Sequence, residues 1–363
     1  MAKQKQSRRG FIKGASLMTG GALTSRVLPA GVVAEPVQVS SRPTTRPAQF
    51  RALMAKPDPL IMPVANSVLM ARLCEMEGFQ ALFIGSSGAA AHYGLPNDIP
   101  SITETYEFIA HIAENTSLPV MADGEAGGFN ALMTYRITEK FERAGAAAIM
   151  IEDAVGVETY FNRQGAPLAS KQAMVDRIKA AADARKDRNL VILARFDAPG
   201  KGVPLAQTLD VAAACAAAGA DAFFFSGLPL QEQAKAYDVL KKPLMMGATP
   251  TLTGAEAKAN KVDMLFCHVE NVGIGAIHQA LKELKTTGKY ETAAKMMLSA
   301  DVNQKLVAQS DWTARARKYN ITKPSRLRRG GLPKASEYSR VAATECSPTR
   351  QRGAPVDLDL RAP

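Results

Sequence analysis

Residues 119–153 read PVMADGEAGGFNALMTYRITEKFERAGAAAIMIED. A short apolar run ends in Asp123-Gly124-Glu125, the segment ALMTYRITEKFERAG follows with apolar residues three and four apart, and a second apolar run at 147–151 ends in Glu152-Asp153. Strand, amphipathic helix and strand in so short a stretch predict a parallel βαβ unit. Both strands end in acids, and adjacent parallel strands bring the same ends together.

The alternation continues outward in both directions. Apolar runs of strand length lie at 60–65, 81–85, 119–122, 147–151, 190–194, 222–225, 243–246 and 264–267, with helical stretches such as KQAMVDRIKAAADARK between them. Eight strands with a helix after each predict an α/β fold, a closed (β/α)8 TIM barrel with extra C-terminal helices. A doubly wound open sheet is the alternative, disfavoured because no G-x-G-x-x-G turn follows the first strand. The stretch TAAKMMLSADVNQKLVAQSDWTARARKYN (292–320) then packs outside the barrel or against a partner subunit.

The formal charge of +11 belongs to the ends. Residues 1–48 hold eight Lys/Arg against Glu35, and residues 321–363 nine against four acids, so the body between them is close to neutral at −1. A neutral body with one Trp and no aromatic-basic stripe argues against a nucleic-acid surface. The start carries Ser7-Arg8-Arg9-Gly10-Phe11-Ile12-Lys13 before a short, weakly apolar stretch, which resembles a twin-arginine export signal read by the twin-arginine export machinery. It is too short and polar to span a membrane. The expected organisation is a signal at 1–34 cut after Val32-Val33-Ala34, a Pro/Ser/Thr-rich linker at 35–48, the catalytic barrel at 49–320 and a basic, disordered tail at 321–363, in a periplasmic or otherwise exported protein. Cys74, Cys215, Cys267 and Cys346 show no metal spacing, and the first three read as small buried hydrophobes. His92, His111 and His278 share no ligand spacing, and the Met-rich MMGA and KMML read as core filler.

In a barrel the active site lies at the C-terminal strand ends. Asp123, Glu125 and Glu152 meet there, and hard oxygen donors suit Mg²⁺. The same acids after a strand also suit helix caps, and spacing alone leaves both readings open.

The segment 119–153 resembles the Asp-Ala-Asp-x-Gly-(Tyr/Phe)-Gly-Asn, Ala-Gly-Ala and Ile-Glu-Asp series of the isocitrate lyase and phosphoenolpyruvate mutase superfamily. FRALMAKPDPLIMPVANSVLMARLCEMEGFQALFIGSSGAAAHYGLPND upstream, and LVILARFDA and AGADAFFFSGL downstream, extend the likeness over roughly residues 49–290. The resemblance implies Asp123 as the main metal carboxylate, with Glu125, Glu152 and Asp98 holding the waters of a Mg²⁺ ion, or of Mn²⁺ in its place. It implies that the Gly85-Ser86-Ser87-Gly88 turn presents N–H groups to a substrate carboxylate and that Arg195 pairs with it as a planar fork. It also implies a homo-oligomer, dimer or tetramer. Glu125 stands one methylene longer than the family's second Asp, and Asn97 enters the family's Leu-Pro-Asp segment.

The departures bear on the reaction. Where tricarboxylate lyases of the superfamily carry Lys-(Lys/Arg)-Cys-Gly-His, this chain has Glu158-Thr159-Tyr160-Phe161-Asn162, with Tyr160 at the proton-donating Cys. A Glu after the sixth strand is replaced by Ser226, and an Asn after the seventh by Gly247. The eighth strand is similar to the Gly-His segment of the superfamily's oxaloacetate decarboxylases, with His268 in register. His268 reads equally as a catalytic group or as a hydrogen-bonded strand end. Tyr160 reads as a proton donor or as a loop aromatic closing the pocket.

The resulting expectation is a Mg²⁺-dependent carbon–carbon lyase acting on a small 2-oxo acid, of oxaloacetate decarboxylase type. The alternatives are phosphonopyruvate hydrolase or mutase chemistry at carbon–phosphorus bonds, and a catalytically weak dicarboxylate-binding barrel. The export reading makes its own prediction: replacing Arg8 and Arg9 together with Lys traps precursor in the cytoplasm, as fractionation and immunoblotting would show, and unchanged export of the double variant would refute it.

Overall fold

Eight parallel strands form a single ladder: β1 Leu60–Pro63, β2 Leu82–Ile84, β3 Val120–Asp123, β4 Ala146–Glu152, β5 Val191–Phe196, β6 Ala222–Phe225, β7 Leu244–Gly247 and β8 Met264–Cys267. In the computed structural model, which describes residues 45–97, 99–156, 167–319 and 321, their order is β1-β8-β7-β6-β5-β4-β3-β2. The seam between β1 and β2 is joined by the parallel bridge of Val64 with Phe83 and by the Ala65 N–H donating to the Phe83 carbonyl at 2.9 Å. The result is the expected (β/α)8 barrel.

Period-two alternation divides each strand between two apolar layers. Met62, Phe83, Met121, Met150, Leu193, Phe224, Met245 and Phe266 fill the interior in one cluster. Their neighbours Leu82, Ile84, Val120, Ile149, Ile151, Ile192, Phe223 and Phe225 face outward into a second cluster with the helices. Small side chains at Ala146, Ala147 and Ala148 accompany full burial of all seven residues of β4.

The helices start where local chemistry can satisfy their first N–H groups. Ser67 caps the helix Val68–Met76, Asn130 caps Ala131–Arg143, Ser170 caps Lys171–Ala184, and Ser101 forms a reciprocal capping box with Glu104 at the start of Ile102–Ala113. A first helix, Arg46–Met54, is capped by Thr45 and buries Phe50 and Met54 in the interior cluster. It begins within the stretch 35–48 expected to be a linker. Arg46 donates to the carbonyls of Ala113 and Thr116, so the last residues of that stretch are part of the folded body. Residues 1–44 and 322–363, which carry the export-signal and tail expectations, lie outside the described residues.

Three C-terminal helices, Glu291–Ala294, Ala300–Leu306 and Gln309–Lys318, follow the last barrel helix, Glu270–Thr287. That helix buries none of its residues fully, and Val272, Ile274, Ile277 and Leu281 are exposed. Cys74 and Cys215 are buried as expected, whereas Cys267, at the end of β8, is only partly covered.

Gly124 is where the fold and the strand-end acids meet. A Cβ there would lie 2.8 Å from the Met150 carbonyl and 2.9 Å from Ile151 Cδ1, because β3 and β4 approach closely as the chain leaves the sheet. Gly124→Ala is therefore expected to cost about 1–3 kcal/mol in urea unfolding, the range for forced overpacking, and a loss under about 0.5 kcal/mol would show that the approach is softer than it looks.

Candidate functional site

The alternation that packs the interior also builds the barrel mouth. Continuing each inward series by two residues takes Met121 to Asp123, Met150 to Glu152, Leu193 to Arg195, Phe224 to Ser226, Met245 to Gly247 and Phe266 to His268. The ladder pairs Asp123 with Met150 and Glu152 with Arg195, so these positions share one end of the barrel. Of these, Asp123, Arg195, Ser226 and His268 line a cavity of about 450 Å³ together with Ser86, Phe224 and Phe266, whereas Glu152 and Gly247 are not in its lining.

Arg195 is the centre of the charge arrangement. Its Nη1 lies 2.9 Å from Glu152 Oε2 and 3.8 Å from Asp123 Oδ2, and its Nε and Nη2 donate to the two oxygens of Asp197 at 2.9 and 3.1 Å. Burial works against the guanidinium charge, but Glu152, Asp197 and Asp123 outweigh it and raise its proton affinity, so the group is a permanent cation. The fork expected to grip a substrate carboxylate thus already holds Asp197 along one edge. The guanidinium also lies over the Phe224 ring, 5.6 Å from its centre.

Asp123 and Glu152 are both buried, 6% and 5% exposed as residues, at adjacent strand ends. Asp123 Oδ1 accepts from the Glu125 N–H at 2.9 Å, and Ser86 Oγ donates to Oδ2 at 3.5 Å. Glu125 has φ of +47°, and its carbonyl accepts from the Glu152 N–H at 2.8 Å, so its backbone ties the two acid-bearing strand ends together. Glu125 is half-buried and is not among the residues lining the cavity. The Gly85-Ser86-Ser87-Gly88 segment is the first turn of the helix Ser86–His92, and the Gly88 N–H donates to the Gly85 carbonyl. Ser86, Ser87 and Gly88 all line the cavity. Asp98 and Tyr160, assigned to the metal and to proton transfer, lie outside the described residues. Among the described residues no three His, Cys, Asp or Glu side chains gather as a metal cluster.

Three supporting groups went unassigned from sequence. Asp197 sits two residues beyond Arg195 in the same ARFDA run. Asp153 accepts from the Asp197 N–H at 2.9 Å, and burial pushes its carboxyl up to about 6 against that bond. Arg177, 2% exposed, donates to the carbonyls of Glu152, Ala154 and Phe129 and clamps the end of β4. A buried Arg in an amphipathic helix leaves no mark in the apolar pattern.

Gly247 and Phe266 form a complementary pair. A Cβ at 247 would stand 3.0 Å from the tip of the Phe266 ring, which also packs on Phe83 and Phe224 at 5.0 and 5.5 Å between ring centres. A larger residue at 247 would displace that ring.

The family model described as phosphoenolpyruvate phosphomutase matches residues 50–285. Among curated relatives, the 2-methylisocitrate lyase of Salmonella typhimurium is 34% identical over 259 residues, covering 69% of this chain and 86% of the relative. The oxaloacetate decarboxylase of Paraburkholderia xenovorans is 34% identical over 214 residues, covering 57% and 70%. A solved phosphonopyruvate hydrolase in complex with oxalate and Mg²⁺ superposes with a TM-score of 0.67 at 25% identity, covering 76% of this chain and 99% of that one.

Proposed function

The chain belongs to the phosphoenolpyruvate phosphomutase family and is an enzyme of its lyase kind, and from that premise we propose that it cleaves a carbon–carbon bond of a small 2-oxo acid with a divalent metal, in the manner of an oxaloacetate decarboxylase. The observation that carries this reading is the polarity of the cavity. Among its described lining residues Arg195 is the one permanent cation, and it already faces three carboxylates. A substrate with three carboxylates would find no further fixed positive charge on those walls. Ser226 and the Gly247–Phe266 pair leave an aromatic floor where the tricarboxylate lyases carry Glu and Asn. Phosphonopyruvate chemistry needs the same small pocket and stays as the second reading, favoured by the likeness to the hydrolase bound to Mg²⁺.

The residues present fit a partly hydrated Mg²⁺ or Mn²⁺. Asp123 and Glu152 offer hard carboxylate oxygens, and Mg²⁺ commonly takes one or two carboxylates and keeps several waters. Bound there, the ion would supply Lewis acidity at the 2-oxo oxygen and adjacent carboxylate. Asp123 would hold it from the cavity wall, with Glu152 beside it and Arg195 paired with both acids. Ser86 and Ser87, at the first turn of their helix, would hydrogen-bond the substrate carboxylate. Phe83, Phe224 and Phe266 would exclude water from the reacting carbon, which strengthens each charge interaction in the site. As the C3–C4 bond breaks, carbon dioxide leaves and the electron pair becomes the enolate; His268 would then return a proton to C3.

Asp123→Ala tests the assignment. The expected outcome is loss of Mg²⁺ uptake by titration calorimetry and a fall in oxaloacetate turnover of about 10³-fold or more, the several kcal/mol that Lewis-acid stabilisation supplies. Wild-type protein that takes up no divalent ion, or a variant within tenfold of wild type, would overturn it. Turnover of phosphonopyruvate instead of oxaloacetate would select the second reading, and metal uptake without turnover of either would leave a binding barrel.

A further inference from the structure

His268 stands at the mouth of the barrel with one nitrogen already committed. Its Nδ1 is 2.7 Å from Glu270 Oε1. The two side chains differ in setting: the imidazole is 47% exposed and lines the cavity, whereas the Glu270 carboxylate is 8% exposed. Glu270 is the first residue of the helix Glu270–Thr287, where the helix dipole favours a negative charge. Its second oxygen, Oε2, is buried and has no hydrogen-bond partner. A carboxylate so enclosed, with one oxygen on an imidazole, is best compensated by a positive ring. The Phe266 ring meets the imidazole edge to face at 5.4 Å and fixes the other side.

We propose that Glu270 is a positioning residue: its buried carboxylate fixes the Nδ1 proton of His268 and leaves Nε2 as the proton donor of the cavity. This rests on the 2-oxo acid reading for the reaction served, but the dyad itself does not. With Nδ1–H donated to Glu270, Nε2 is the one nitrogen that can exchange a proton with a ligand. In the decarboxylation above, Nε2–H gives its proton to C3 of the enolate, the C–H bond forms, and the neutral ring regains a proton from water. The hydrogen bond to Glu270 raises the proton affinity of His268, burial opposes it, and the Glu270 charge adds to the rise. Among the described residues, the other charged groups lining the cavity are Asp123 from β3 and Arg195 from β5, within 3.8 Å of each other. The helix Ser86–His92 contributes only uncharged residues to the lining, and the helix Glu270–Thr287 adds Asn271 and Ile274 beyond Glu270 itself. Glu270 is thus the partner that sets the state of the ring.

The test uses the full chain and its Glu270→Gln, Glu270→Asp and His268→Asn variants. Histidine resonances are followed by NMR against pH, with His268→Asn assigning the signal among the four histidines. Because the folded His268 holds its proton more tightly than a free histidine, its midpoint is expected above the ordinary value. In Glu270→Gln the midpoint is expected to fall toward the ordinary value, because the hydrogen bond and charge that raise it are gone, while Glu270→Asp keeps part of the rise. In turnover, Glu270→Gln is expected to lower kcat by about 10- to 100-fold, the usual effect of losing such an orienting partner, with KM little changed and no further loss when it is added to His268→Asn. A His268 midpoint that stays in place in Glu270→Gln, or a kcat equal to wild type, would overturn the proposal. If wild type turns over no 2-oxo acid, the reaction assignment fails, and the NMR midpoints still decide the dyad.

Discussion

One guanidinium set among carboxylates organises the barrel mouth. Arg195 contacts Glu152, Asp197 and Asp123, drawn from β3, β4 and the residue beyond β5. Among the described residues the guanidinium faces three acids, and the surrounding structure holds those acids in place. Asp153 takes the Asp197 N–H, the Glu125 backbone spans Asp123 and Glu152, and buried Arg177 holds the end of β4 by its carbonyls. Carboxylate oxygens at adjacent buried strand ends are hard donors of the kind a divalent ion takes, and the proposed metal rests on that donor set.

The same cluster explains how fold and site are linked. A side chain two residues past an interior Met or Leu must also point inward, so a strand that packs the core presents its next inward residue to the cavity. Met121 and Asp123, Leu193 and Arg195, and Phe266 and His268 are such pairs. Close approach of β3 and β4 at Gly124 brings Asp123 and Glu152 onto one side of Arg195. The aromatic floor of Phe83, Phe224 and Phe266 then limits how much of the cavity is polar.

Much of this was legible in the residues. The apolar runs placed all eight strands, and the acids and base at their ends placed Asp123, Glu152, Arg195 and His268 near one another, because alternation and strand order need only the chain itself. What escaped depends on contacts between elements. Asp197 lay inside a quoted motif, yet its bidentate hold on Arg195 depends on how the chain turns after β5. Glu270 carries no signal in the sequence, and its burial against His268 depends on how the last barrel helix starts. Gly247 read as a lost Asn, and only the neighbouring Phe266 ring shows that the space is filled. The stretch ending at 48 has the Pro and Thr content of a linker, although Thr45 followed by Pro47 is also how a capped helix begins.

The account stands on Arg195 as the counter-charge of an acid cluster that, in the proposed function, a metal would complete. Urea unfolding of Arg195→Met, with and without Mg²⁺, measures that directly. Removing the cation should cost about 2–3 kcal/mol without metal, below the 3–5 kcal/mol typical of breaking a fully buried pair because the side chain keeps some solvent contact, and Mg²⁺ should restore most of the loss. A variant as stable as wild type, or one that Mg²⁺ leaves unchanged, would contradict it.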